Sequence, residues 1–167
     1  MRALLALFVL PAMLGMATGT QAQQGATFEV RSLTPEAALK AASAALAKCR
    51  AAGYQVGVAV VDRAGSPLVT LRDRFAGPHT FQTALDKAYT AVTFKISTTE
   101  LEAVSRPGGA MSGLRQLPRV VAIGGGLQIS AAGSQVGGIG VSGAPGGEAD
   151  EACAKAGIAS IADDLEM

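Results

Sequence analysis

The 167-residue chain carries 14 Lys and Arg against 13 Asp and Glu, one His, 21 Gly and no Trp. That length suits one domain around one core. The near-zero charge leaves no basic stripe, so nucleic-acid binding has no electrostatic footing, and the abundance of small residues points to close backbone packing.

Arg2 is followed by an apolar run from Ala3 to Ala17, broken only by Pro11 and Gly15, and then by Thr18-Gly19-Thr20-Gln21-Ala22. This is the layout of a secretory signal peptide cleaved after Ala22, which leaves residues 23–167 as one domain. The run is about 15 residues, short of the roughly 20 that a membrane-spanning helix needs. The expectation is a periplasmic or extracellular protein with no membrane span after processing.

Residues 23–33 read as a tail or short strand. Thr34-Pro35 is a helix start, with Thr as cap and Pro at the first helical position. The helix runs to about residue 52, and Ala38, Ala42, Ala45, Leu46 and Cys49 share its inner face. Residues 55–62 form a strand apolar or small on both faces, hence a central one. Asp62-Arg63-Ala64-Gly65 turns a hairpin into a returning strand over 67–73. After a loop at 74–79, Thr80 caps a second helix reaching about residue 94, with Phe81, Leu85, Ala88 and Val92 as its core stripe. Thr99 and Glu102 suggest a capping box for a short third helix. Strands follow at 120–123, 126–131 and 135–142, and a glycine-rich loop at 143–147 leads to a last helix at 148–162. Hairpins imply antiparallel pairing. The predicted fold is α+β: a single five-stranded antiparallel sheet flanked by about four helices.

Cys49 and Cys153 lie in the first and last helices. In an oxidising compartment they favour a disulfide, which would close a loop of about 100 residues and contribute roughly 4–5 kcal/mol. The alternative is a pair of buried thiols. Neither sits in a CxxC or CxxCH pattern.

His79 is the only histidine, placed in Gly77-Pro78-His79-Thr80 just before a helix. A helix N-terminus disfavours added positive charge, and neutral imidazole is the form that ligates a metal or haem iron. Phe75, Phe81, Tyr89 and Phe94 cluster around it in sequence, as a flat apolar ligand would require. The plain alternative is a loop histidine beside ordinary helix-core aromatics. The glycine segments match neither GxGxxG nor a P-loop, and no GxSxG is present. Asp73 and Arg74 read as solvated rim charges. So few catalytic groups favour a binding module over an enzyme.

Val58-Ala59-Val60-Val61-Asp62-Arg63-Ala64-Gly65, Leu68-Val69-Thr70-Leu71-Arg72, Ala76-Gly77-Pro78, Lys87-Ala88-Tyr89-Thr90-Ala91-Val92 and Gly137-Gly138-Ile139-Gly140-Val141-Ser142-Gly143-Ala144-Pro145 resemble blocks of the haem-binding family typified by HbpS and GlcG. That family also includes the C-terminal domain of PduO-type proteins. The resemblance spans about residues 32–165 and is nearest the secreted, HbpS-like branch. It implies a five-stranded antiparallel sheet, a homo-oligomer, often an octamer, and non-covalent haem binding. In some members it also implies signalling through a partner sensor kinase. Other members carry glutamine at the position of His79, so an axial role for His79 rests on this chain's own residues. The resulting site has His79 as iron ligand, Phe75, Phe81 and Tyr89 as apolar contacts, and Arg72 or Arg74 meeting a propionate by charge-assisted hydrogen bonds. The rival reading is an enzyme or accessory factor acting on a small organic acid or corrinoid, drawn from the glycine-rich, anion-friendly loops and from family neighbours.

Overall fold

The computed structural model describes residues 25–166, so the leader assigned to residues 1–22 lies outside the described residues. Helix α1 spans Pro35–Ala51; the Thr34 side chain accepts from the Ala37 N–H, as the Thr-Pro start predicts. The five predicted inner-face residues are all buried, together with Ala41. Strand β1 (Gly57–Asp62) is followed by β2 (Pro67–Arg72). Between them the Asp62 carboxylate accepts from the N–H groups of Ala64 and Ser66 at 2.8 Å, and Gly65 takes φ 84°. This is the side-chain-stabilised turn expected from Asp-x-x-Gly.

Helix α2 (Thr80–Phe94) and a short α3 (Thr98–Val104) come next, then a single 3-10 turn at Ser112–Gln116. Strands β3 (Gly126–Ala131) and β4 (Ser134–Ser142) form the second hairpin, and α4 (Gly147–Ala159) and α5 (Ala162–Leu165) close the chain. The strand order is β2-β1-β4-β3, antiparallel throughout. Helix α2 covers one face of the sheet, and α1 and α4 cover the other. The Cys49–Cys153 disulfide joins α1 to α4. Among the described residues no helix is long and apolar enough to cross a membrane.

Four expectations are corrected. The sheet has four strands, not five, because residues 120–123 are not a strand. Arg119 takes φ 65°, and the Val121 N–H is donated to Thr90 Oγ1 at 3.0 Å. That segment is therefore tied to α2, and a donor a ladder would need is already used. The capping box of α3 is Ser97 with Glu100, not Thr99 with Glu102. The last helix is divided after Ala159 into α4 and α5, so five helices form, not four. Finally, the buried stripe of α2 includes Ala84, Lys87, Ala88 and Ala91, while Phe81 is 44% exposed.

The α2 correction has a packing cause. Gly138 and Gly140 of β4 face α2, and a Cβ on Gly140 would collide with the carbonyl oxygen of Ala84. A Cβ on Gly57 would stand 2.7 Å from the Phe81 nitrogen, and one on Gly126 would strike the Lys87 carbonyl. The helix backbone rests directly on a glycine bed, so alanines fill the contact and larger side chains are turned outward. Ile139, between the two glycines, points to the opposite face and packs with α1 and α4 in the main core.

Candidate functional site

A cleft of about 780 Å³ opens at the end of the sheet where β4 finishes and α2 and α4 begin. Its walls are Tyr54 and Gln55 before β1, Phe75 to Thr80 before and into α2, and Ser142 to Gly147 before α4. This volume falls within the roughly 300–1,000 Å³ of small-molecule pockets. A smaller depression of about 400 Å³ between the start of α1 and α5 is rimmed by Lys40 and Asp164, which pair with each other at 2.8 Å.

The loop carrying Phe75 and His79 is held from three sides. Asp73 is buried; its carboxylate accepts from Arg50 at 2.7 and 3.0 Å and from the Arg74 N–H at 2.9 Å. The Arg50 guanidinium holds the Asp73 carboxyl below its ordinary value, the opposing effect of burial being smaller. Asp73 is therefore not the solvated rim charge expected from sequence. Arg72 donates to the Ala76 carbonyl at 2.6 Å, and the Phe75 N–H reaches Gln55 Oε1 at 3.4 Å.

His79 is the N-cap of α2 and makes no side-chain capping bond, while its carbonyl accepts from the N–H and hydroxyl of Thr83. Thr80, expected as the cap, is instead the first helical residue. The imidazole lies over Gly77: a Cβ there would stand 2.8 Å from His79 Cε1 and 3.0 Å from Nδ1. Phe75 is 81% exposed on the same cleft, and Ile123 is half exposed on it. An exposed imidazole and two wet apolar side chains thus share one concave surface.

Of the expected site residues, the fold brings His79 and Phe75 together on this cleft, whereas Phe81, Tyr89, Arg72 and Arg74 do not line it within the single chain. Tyr89 lies under the Arg119 guanidinium, 3.8 Å from ring centroid to carbon, and packs against the Gly65 turn. Arg72 is committed to the Ala76 carbonyl.

Sequence reasoning missed the polar floor. Lys87, 1% exposed, donates to Asp150 Oδ2 at 2.7 Å and to the Val141 carbonyl at 2.9 Å. Asp150 accepts through its other oxygen from the Ala144 N–H at 3.0 Å. Burial pushes the Asp150 carboxyl above its ordinary value, and the Lys87 ammonium opposes that shift. The pair clamps the glycine-rich loop between β4 and α4. A signal for it was present: Lys87 follows Ala84 by three residues and precedes Ala88 and Ala91 on one helical stripe, where a lysine needs a partner. Among the described residues no group of three or more His, Cys, Asp and Glu is placed to hold a metal ion.

The family model described as haem degrading protein HbpS-like matches residues 33–159. The chain belongs to the HbpS-like family. A double Glu-to-Asp mutant of Streptomyces reticuli HbpS has a similar structure, with a TM-score of 0.76 and 41% identity over 87% of this chain and 97% of that one. The haem complex of PduOC has a TM-score of 0.73 and 34% identity over 78% of this chain and 95% of that one. Corrinoid adenosyltransferase PduO of Salmonella typhimurium is 37% identical over 120 residues. This HbpS-like chain spans about a third of that enzyme, 35% of its length.

Proposed function

We propose that this chain is an exported protein that binds haem non-covalently, with His79 as the iron ligand. The observation that carries the reading is a lone imidazole, free of any capping bond, seated over Gly77 beside the exposed ring of Phe75 on a cleft of about 780 Å³. The donor set fits the group: one imidazole nitrogen suits haem iron, and Phe75 and Ile123 offer flat apolar surface at its side. Haem bound there would supply the redox and ligand-binding chemistry of its iron, while the chain supplies orientation and exclusion of water.

Membership of the HbpS-like family and similarity to the haem complex of PduOC support the reading. The exposed Phe75, Phe81 and Ile123 favour a homo-oligomer, in which a second copy would cover them. The leader-like pattern of residues 1–22 favours a periplasmic or extracellular site, where haem sensing or sequestration, with a sensor protein as partner, is the proposed role. Hemin titration of the mature protein and of His79→Ala tests the ligand. A Soret band in the wild type that is lost or shifted in the variant is expected; an identical band in both would remove His79 as ligand, and no band in the wild type would remove haem.

A further inference from the structure

We infer that the floor of the cleft is a carboxylate-binding site, built from Ser142 and Lys87 at the start of α4. The free-acid form of this inference stands without the haem reading, and the haem form rests on it.

Ser142 ends β4, two residues beyond Gly140 and on the same face. It is 7% exposed and lines the cleft, yet its hydroxyl has no hydrogen-bond partner among the described residues. The hydroxyl reaches the cleft surface while the rest of the residue is buried, so its O–H is free to meet a ligand there. Lys87 lines the same cleft. An ammonium has three N–H donors; two go to Val141 and Asp150, and the third meets no acceptor among the described residues. Helix α4, thirteen residues long, starts at this point with Gly146 as N-cap, so no side chain satisfies its first amides. That end of a helix favours negative charge.

The Ser142 hydroxyl, the third Lys87 N–H and the first amides of α4 can each donate to a ligand. Asp150 is not available to a ligand, since one of its oxygens is held by Lys87 and the other by Ala144. Its charge also offsets that of Lys87, which leaves too little positive charge for a phosphate dianion. A carboxylate, singly charged with two acceptor oxygens, matches one hydroxyl and one N–H. That carboxylate could come from a free small organic acid or from a propionate of haem.

The experiment uses the mature protein and Ser142→Ala, which removes one hydroxyl and no packing carbon. In the first arm, acetate and malonate are titrated calorimetrically against chloride at equal ionic strength. In the second, hemin is compared with hemin dimethyl ester, whose propionates are blocked. Saturable acetate or malonate binding that weakens about tenfold in Ser142→Ala supports the site with a free acid as ligand. A preference of about tenfold for hemin over its ester that vanishes in Ser142→Ala supports it with propionate as ligand. Absence of both effects, or effects unchanged in Ser142→Ala, overturns the site. If hemin does not bind, the haem reading falls and the acetate arm alone decides this one.

Discussion

The Lys87 ammonium stands 2.7 Å from the Asp150 carboxylate, and both side chains are buried. This contact joins α2 to α4 across the end of the sheet and sets the path of the loop between them. Removing one member of a buried pair leaves the other charged and alone. Lys87→Met is expected to lose about 3–5 kcal/mol of stability, and the double variant Lys87→Met/Asp150→Asn to recover much of it. Urea denaturation of the two variants checks this; equal losses in both would mean that the pair contributes only packing.

Asp73 gives a pH signature. Its carboxyl is held below the ordinary value chiefly by the Arg50 guanidinium. A depressed folded-state pKa contributes stability that is present above the unfolded value, near 3.9, and is lost as pH falls through the lower folded value. Asp73→Asn should melt below the wild type at pH 7, and the gap should close as the pH drops below about 4. Asp150, raised by burial, acts with the opposite sign: its contribution is present below the unfolded value and is lost as pH rises through the folded one. Melting curves of Asp73→Asn and of the wild type across pH 3–7 check the Asp73 prediction.

Gly77 determines where the imidazole rests, because a Cβ at that position overlaps the His79 ring. Gly77→Ala should push the ring away while leaving the core untouched. Hemin titration is expected to show weaker binding, by about tenfold for an ångström-scale displacement, with the melting temperature nearly unchanged. Wild-type affinity in this variant would mean that the position of the ring over residue 77 is immaterial.

The Cys49–Cys153 disulfide closes a segment with a sequence separation of 104. Loop-closure entropy puts its contribution at about 4–5 kcal/mol. Cys49→Ala/Cys153→Ala should lower the denaturation midpoint accordingly, and dithiothreitol should shift the wild type toward the variant once unfolding exposes the bond.

Ala132 takes φ 48° in the two-residue turn between β3 and β4, followed by Gly133 at φ 75°. That geometry favours Asn-Gly, and a left-handed alanine is strained by roughly 1–2 kcal/mol. Ala132→Asn should raise stability by about 0.5–1 kcal/mol, read as a higher melting temperature.

Local chemistry made much of the frame legible. Thr34-Pro35 announced α1, Asp62 to Gly65 announced the first hairpin, and the apolar faces of residues 55–62 announced a central strand; all three are where they were expected. The placing of Cys49 and Cys153 in the first and last helices made their pairing plausible. Residues 120–123 misled because their extended pattern is matched by an equally good partner elsewhere, the Thr90 hydroxyl on α2. The aromatics of α2 misled because periodicity identifies an apolar stripe but not how close the opposing surface lies.

From the residues alone came the antiparallel α+β architecture, the hairpins, the helix starts and His79 as the one imidazole beside an aromatic cluster, because each depends on neighbours a few positions away in the chain. Tertiary structure decided which residues come together: Phe75 and His79 on one cleft, Lys87 with Asp150, and Ser142 left without a partner. Those pairings follow from how deeply α2 settles onto Gly57, Gly126, Gly138 and Gly140, a contact between segments as far apart as Ala84 and Gly140 that no local pattern encodes.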